Sequence, residues 1–176
     1  MMTGEQIVAE IFPDLLATLR TSGVTLFHVV GGGDYYRGYS GYQRAVALAG
    51  PTPDLPQVPS NPALDRLRRF RASNVFVGAH NRADTDAGFR QLDFPIIAQP
   101  QGDEGIAEDA HQLAALCLDG GINHLIYAGF AINWCLLMSP GGMVDMSRRG
   151  VMCSASVSYT HLRAHETKAK LVCRLL

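Results

Sequence analysis

Residues 124–140 of the chain read "HLIYAGFAINWCLLMSP". It opens with a short apolar run, breaks at Gly129, and continues into a second apolar run that carries Cys135. A run of this length that stops at a glycine is typical of a buried strand, and the text after it reads as a helix interrupted near Pro140. The stretch therefore predicts a strand, a turn and a helix that begins close to Cys135.

Similar strand and helix signals occur earlier in the chain. Apolar residues between positions 7 and 19 recur at steps of three and four, which predicts an amphipathic helix ending near residues 22–23. "VTLFHVV", residues 24–30, predicts a strand covered on both faces. Residues 103–120 begin with acidic side chains and end with glycines, as a helix does. This alternation predicts an α/β fold with a largely parallel sheet.

The segments between these elements give weaker signals. Residues 34–62 are rich in tyrosine, glycine and proline, which predicts an irregular excursion over the surface that can cap a site. Residues 64–70 suggest a short helix, and residues 74–80 and 94–99 suggest short strands.

Composition and charge exclude several function classes. The 176 residues, 47% of them hydrophobic, suit one domain with a substantial core. Lys and Arg number 15 against 16 Asp and Glu, so the net charge of -1 favours neither nucleic acid nor an anionic membrane surface as a partner. No apolar run reaches the roughly 20 residues of a spanning helix. The four cysteines form no CxxC pair, which predicts free thiols, no zinc and a cytoplasmic location.

Cys135 is the candidate for chemistry. Ligands of open α/β sheets bind outside the carboxyl ends of the strands, and Cys135 follows such an end. The N–H groups in the first turn of a helix would favour its thiolate, the form that acts as a nucleophile. The other reading is a small buried hydrophobe between Trp134 and Leu136. Spacing alone leaves both readings open.

The segment "GINHLIYAGFAINWCLL", residues 121–137, resembles the nucleophile segment of the isochorismatase-like cysteine hydrolases, in which an apolar strand leads to Gly-x-Ala-x-Asn/Asp-x-Cys. The resemblance implies a three-layer α/β/α sandwich with a mostly parallel sheet. It implies Cys135 as the catalytic nucleophile and the N–H groups of Ala131 and Cys135 as the oxyanion hole. It also implies a cis peptide bond between Phe130 and Ala131. The implied reaction is hydrolysis of an amide or similar C–N bond, or of a vinyl ether, in a small-molecule substrate.

The chain also departs from that family. Family members open with a strand ending in Asp-x-Gln, whose aspartate is the base, whereas this chain begins at the helix that normally follows. The family's lysine has no counterpart in "IIAQPQGDEGIAEDAHQL", and "FHVVGGGDYY" lacks the Asp-x-His metal site of one branch. We therefore expect no metal, no cofactor and an impaired hydrolase. The alternative is a non-catalytic binding or scaffold member of the same fold.

The end of the chain differs in composition from the rest. Residues 156–176 turn basic and resemble a non-native read-through sequence, so we expect an incomplete hydrolase domain over residues 1–155, without the last elements of the family fold. A basic helix that binds an acidic partner is the competing reading.

Other residues are candidates for binding. Asn133 and Trp134 beside the cysteine, with Tyr35 and Tyr36 of the tyrosine-rich loop, are candidate substrate-pocket residues. "VVGGGD" follows a strand as a phosphate-binding loop would, which gives a nucleotide-binding module as a third reading. It lacks both G-x-G-x-x-G and a Walker lysine, so a plain turn is the favoured interpretation. The histidines share no metal-ligand spacing and are expected to be structural. The sequence leaves open whether the chain forms a homo-oligomer.

Overall fold

The fold is that of a computed structural model, which describes residues 4–75, 78–130, 132–156 and 174–175. Helix α1 spans Gly4–Glu10 and helix α2 spans Phe12–Thr21, with Pro13 in the first turn of α2. Phe12 and Leu16 are buried on one face of α2. The chain leaves the helix through Ser22 and Gly23, whose φ of 76° lies in the left-handed region that glycine adopts readily. The predicted amphipathic helix is present as two helices that Ile11 separates, and its predicted end near residues 22–23 is confirmed.

The first sheet is built on strand β1, Phe27–Val29, which pairs in parallel with strand β2, Gly105–Ala107. Every residue of both strands is buried. The strand predicted over residues 24–30 is present as the shorter β1, and its burial agrees with the prediction of a strand covered on both faces. On its other edge β1 pairs antiparallel with strand β5, Arg174–Leu175, and the order in the sheet is β2-β1-β5.

The helix predicted over residues 103–120 begins later than expected. Helix α6 spans Ala110–Asp119, and the segment predicted as its beginning contains strand β2. The backbone of Asp109 is extended and its side chain accepts a hydrogen bond from the N–H of Gln112 at 2.8 Å, which fixes the helix start there. The acidic residues before β2 therefore belong to a turn and not to a first helical turn.

The predicted irregular excursion contains a helix. Helix α3, Ser40–Ala49, packs along α6, and a Cβ added at Gly41 would collide with the backbone oxygen of Glu104. The rest of the excursion is irregular, with turns over residues 34–39 before the helix and the proline-rich residues 51–61 after it. The glycine thus permits a close approach between α3 and the turn before β2.

Both short strands predicted between residues 74 and 99 are wrong in the part of the chain that the structure describes. Helix α4, Pro62–Asn74, ends at Val75, and a 3₁₀ turn, Ala79–Asn81, leads into helix α5, Arg82–Arg90. Residues 76–77 lie outside the described residues. A second 3₁₀ turn, Ile96–Ala98, replaces the strand predicted over residues 94–99. Prolines at 95 and 100 flank it, and proline cannot donate a ladder hydrogen bond.

The second sheet holds the strand that precedes the cysteine. Strand β3, His124–Tyr127, pairs in parallel with strand β4, Met152–Ala155. Leu125 and Tyr127 are buried, whereas Ile126 is 58% exposed, so β3 has one covered face and not two. Helix α7, Met143–Arg148, connects the π-helical turn after β3 to β4.

The described architecture is therefore mixed α/β, with short parallel strands in two small sheets. The three-layer sandwich implied by the resemblance is not confirmed, because β1–β2 and β3–β4 are separate sheets in the described residues. One apolar cluster still joins them, since Phe27 and Val29 of β1 pack in the same core as Leu125 and Tyr127 of β3. Among the described helices, none is long and apolar enough to cross a bilayer.

Candidate active site around Cys135

Cys135 lies in a short π-helical turn, Ile132–Leu136, which begins five positions after the last residue of β3. The N–H of Leu137 donates to the carbonyl oxygen of Ile132 at 3.0 Å, the five-residue spacing of a π turn. The hydroxyl of Ser139 donates to the carbonyl oxygen of Cys135. The side chain of Cys135 is half-buried, and Trp134 beside it is 67% exposed. The predicted interruption near Pro140 is confirmed, because α7 begins only at Met143.

The loop that carries Cys135 reaches the carboxyl ends of three strands. Gly141 has a φ of 76°, and a Cβ added there would lie 3.2 Å from the Val29 side chain at the end of β1 and 3.5 Å from the Asp109 carbonyl carbon, two residues after β2. The hydroxyl of Tyr127, at the end of β3, donates to the Gly141 carbonyl oxygen at 3.0 Å. Gly141, six residues after Cys135 in the same loop, therefore lies at the edge where open α/β sheets bind ligands.

The prediction that Cys135 lies in the first turn of an α-helix is wrong. Cys135 is the fourth residue of a five-residue π turn, and the ordinary helix that follows has only six residues and begins eight positions later. A helix N-terminus acts only within its first turn, so no helix macrodipole is aimed at this thiol in the described residues. Ala131 lies outside the described residues, and with it one predicted oxyanion donor and the peptide bond from Phe130.

The partners of the thiol are also limited. Within the described parts of the chain, no hydrogen bond joins the Cys135 sulfur to a carboxylate, a histidine or a lysine. Asp109, at the same edge, is engaged elsewhere, since it caps α6 and accepts a bond from the Thr52 hydroxyl at 3.4 Å. Among the described residues, no three His, Cys, Asp or Glu side chains cluster as metal ligands would.

Two other cysteines have environments that disfavour the thiolate. Burial in α6 raises the pKa of the Cys117 thiol from 9.0 to about 11. Burial also raises the pKa of Cys153 in β4, although a hydrogen bond with Tyr127 lowers it in part. Cys173 lies outside the described residues.

The tyrosines of the predicted pocket belong to an aromatic cluster around Phe94. The ring of Tyr35 meets those of Phe94 and Tyr36 edge to face, at centroid distances of 5.0 and 5.1 Å. Tyr36 is buried, whereas Asn133 and Trp134 are exposed beside Cys135. A substrate-pocket role for these four residues stays a prediction.

The carboxylate of Glu108, which no sequence pattern singled out, binds two tyrosines of that cluster. Glu108 follows β2 directly, and its two oxygens accept the hydroxyls of Tyr36 at 2.7 Å and Tyr42 at 2.5 Å. Burial alone would raise the pKa of Glu108, but these bonds and one from Gln112 hold it below its usual value. Burial and the nearby Glu108 raise the pKa of Tyr36. The network fixes the tyrosine-rich loop to the carboxyl end of β2.

A second polar cluster surrounds the buried His28 of β1. Its Nε2 lies 2.8 Å from a carboxylate oxygen of Glu104, while its Nδ1 is buried without a partner in the described residues. Arg20 of α2 donates to both oxygens of Glu104, at 2.6 and 3.0 Å. Burial would raise the pKa of Glu104, but hydrogen bonds from His28 and Arg20 outweigh it and lower the pKa to about 2. His28 is thus hydrogen-bonded, as expected for a histidine on an apolar strand.

The space beside the glycine loop after β1 is occupied by residues of α5. Gly32 has a φ of 79°, and a Cβ there would lie 2.6 Å from the Phe89 ring of α5. Gly33 has a φ of 69° and lies against the Phe89 carbonyl oxygen. The glycines therefore serve a tight turn under α5, which supports the plain-turn reading of "VVGGGD".

Compared with family models, with curated proteins and with solved structures, the chain matches none of them.

Proposed function

We propose that the chain is a cysteine hydrolase of the isochorismatase-like type with impaired activity, acting on an amide or related C–N bond of a small molecule. Cys135 is the nucleophile. Its thiolate attacks the carbonyl carbon, the C–N bond breaks, and the amine leaves with a proton. Water then hydrolyses the thioester, which releases the acid and restores the thiol.

The observation that carries the proposal is the place of Cys135. A half-buried thiol lies in the first turn that follows β3 in the chain, and Gly141 of the same loop lies against the ends of β1 and β2. A small molecule bound at this edge would meet the thiol from the solvent side, next to the exposed Trp134.

Impairment follows from the missing partners. The described residues give the thiol no bonded base, and loss of members of a catalytic unit lowers turnover by several orders of magnitude. The same observation favours the second candidate, a non-catalytic binding or scaffold member of this fold. The third, a nucleotide-binding module, loses its support because Phe89 covers the glycine loop.

The test is hydrolysis of a panel of small amides by the full chain and two alanine variants. We expect kcat/KM below about 10³ M⁻¹s⁻¹, under the usual range of enzymes, with complete loss in Cys135→Ala and retention in the matched control Cys153→Ala. Turnover that survives Cys135→Ala would exclude Cys135 as the nucleophile. Absence of turnover across the panel would favour the non-catalytic candidate.

A further inference from the structure

A proline-rich segment, residues 51–61, runs over the surface between α3 and α4. All of its residues are exposed, and residues 52–61 contain no helix, strand or turn. In the part of the chain that the structure describes, its backbone makes no hydrogen bond with other backbone groups before Asn61, where α4 begins. The proposed hydrolase function assigns no role to this segment.

The sequence restricts this segment to an extended backbone of the polyproline II type. Every residue from 51 to 61 except Asp54, Gln57 and Ser60 either is a proline or directly precedes one. Proline fixes its own φ at about −65°, and it disfavours the helical region for the residue before it. A polyproline II helix has no internal backbone hydrogen bonds, in agreement with the backbone of this segment over its described length.

The three-residue period of a polyproline II helix sorts the side chains into three ridges. Two ridges are apolar and one is polar, in the order Pro53, Pro56 and Pro59, then Leu55 and Val58, then Asp54, Gln57 and Ser60. Leu55 is 75% exposed and Val58 is 86% exposed, so the aliphatic ridge is uncovered. The segment is therefore amphipathic, with one apolar face made of the pairs Leu55-Pro56 and Val58-Pro59.

Both ends of the segment are attached to the rest of the fold. Near its start, the Thr52 hydroxyl donates to the carboxylate of Asp109 at 3.4 Å. At its end, the Ser60 hydroxyl donates to the carboxylate of Asp65 at 2.6 Å, and the Asn61 side chain caps α4. Attached ends and restricted backbone angles reduce the conformational entropy that the segment loses when it binds a partner. The apolar face is thus presented in a preorganised form.

The end of the segment at Ser60 is flanked by positive charge. The guanidinium of Arg68 donates to the Ser60 hydroxyl oxygen at 3.0 Å, and the Arg68 side chain is 61% exposed. Arg68 also pairs with Asp65 at 3.6 Å, but helix α4 carries four arginines against one aspartate and stays positive overall. A partner that covers the apolar face is therefore matched best by acidic side chains at this end.

We propose that residues 55–59, "LPQVP", are a docking site for a protein module of the SH3 type, in which grooves lined by aromatic side chains bind polyproline II segments. Leu55-Pro56 and Val58-Pro59 lie one helical turn apart, so each pair enters one groove while Gln57 faces solvent. Acidic side chains at the rim of the partner pair with Arg68. This site is separate from Cys135 and does not depend on the proposed hydrolase function.

The experiment titrates the full chain into a panel of isolated, isotope-labelled SH3 domains that carry acidic residues beside their aromatic grooves. NMR chemical shifts report both the affinity and the surface that is bound. The double variant Pro56→Ala/Pro59→Ala removes both prolines of the apolar face, and Arg68→Gln removes the neighbouring charge. Gln57→Ala is the matched control, because Gln57 belongs to the polar ridge. All four residues are exposed, so these substitutions leave the core unchanged.

We expect saturable binding that shifts the groove aromatics of at least one domain of the panel. The double proline variant should bind at least about tenfold more weakly, and Arg68→Gln about threefold more weakly with a smaller dependence on salt. Gln57→Ala should stay within about twofold of the wild-type chain. The proposal would be overturned if no domain of the panel bound, if the double variant bound like wild type, if Gln57→Ala lost as much affinity, or if the shifted residues lay outside the groove.

Discussion

The partly buried carboxylate of Glu104 should contribute measurably to the stability of this fold. Glu104 accepts four hydrogen bonds, from two nitrogens of Arg20, from His28 and from the N–H of Gln101, at 2.6 to 3.0 Å. The substitution Glu104→Gln keeps the shape of the side chain and removes its charge. Arg20 and His28 then lose a charged partner, and bonds to charged groups are the stronger ones.

The pKa of Glu104 sets the size of the effect. A fall from 4.5 to about 2 corresponds to at most about 3 kcal/mol at 1.36 kcal/mol per pKa unit, and partial contact with solvent reduces this to about 2 kcal/mol. Because the folded pKa lies below the unfolded one, the contribution is complete above about pH 4.5. It is lost as the pH falls towards 2.

The assay is urea denaturation of the wild-type chain and Glu104→Gln at pH 7, pH 4 and pH 2.5. We expect the variant to lose about 2 kcal/mol of unfolding free energy at pH 7 and the difference to shrink steadily at lower pH. Asp65→Asn is the control, since its ion pair with Arg68 is exposed and spans 3.6 Å, and it should cost under about 0.5 kcal/mol. An equal loss at pH 7 and pH 2.5 would refute the charge-based reasoning.

Two further predictions concern the glycine loop and the thiols. Gly32→Ala should lower the unfolding free energy by about 1–3 kcal/mol in urea denaturation, because its φ is 79° and the new Cβ would meet Phe89 at 2.6 Å. Iodoacetamide at neutral pH should label Cys135 before Cys153 and Cys117 in the folded chain, as followed by peptide mass spectrometry. A pKa near 11 reduces the thiolate fraction of Cys117 about a hundredfold relative to a thiol at 9.0.

Each of these two predictions would be contradicted by one specific result. Gly38→Ala is the glycine control, since a Cβ there meets nothing within 4 Å, and an equal cost for both variants would remove the argument from Phe89. For the thiols, labelling of Cys117 at the rate of Cys135 would show that burial does not protect it.

The sequence predicted the elements whose signal is local. The helix over residues 7–19 and the strand before Gly129 follow from periodicity and from a glycine stop, and the structure has both. Strand β2 was not predicted, because its three residues, "GIA", lie between acidic residues in a segment whose composition is typical of a helix start. Helix α3 was not predicted, because the tyrosines and glycines at its start and before it are typical of a loop.

The candidate site was predictable only in part. Cys135 follows a strand in the sequence and does so in the structure, because that relation spans a few residues. The Glu104–His28 and Glu108–Tyr36 contacts join residues 76 and 72 positions apart. No spacing rule reports such pairs, since their proximity is created by the parallel pairing of β1 and β2. The π turn at Cys135 was likewise not encoded in helical periodicity.

Trapping an acyl intermediate on Cys135 tests its proposed role as a nucleophile most directly. The folded chain is incubated with p-nitrophenyl acetate, whose good leaving group lowers the demand on a general base, and the acyl group is located by peptide mass spectrometry. We expect a hydroxylamine-labile acetyl group on Cys135, with Cys117 and Cys153 unmodified. Acetylation spread equally over Cys135 and Cys153, or absent from Cys135 while the chain is folded, would contradict it.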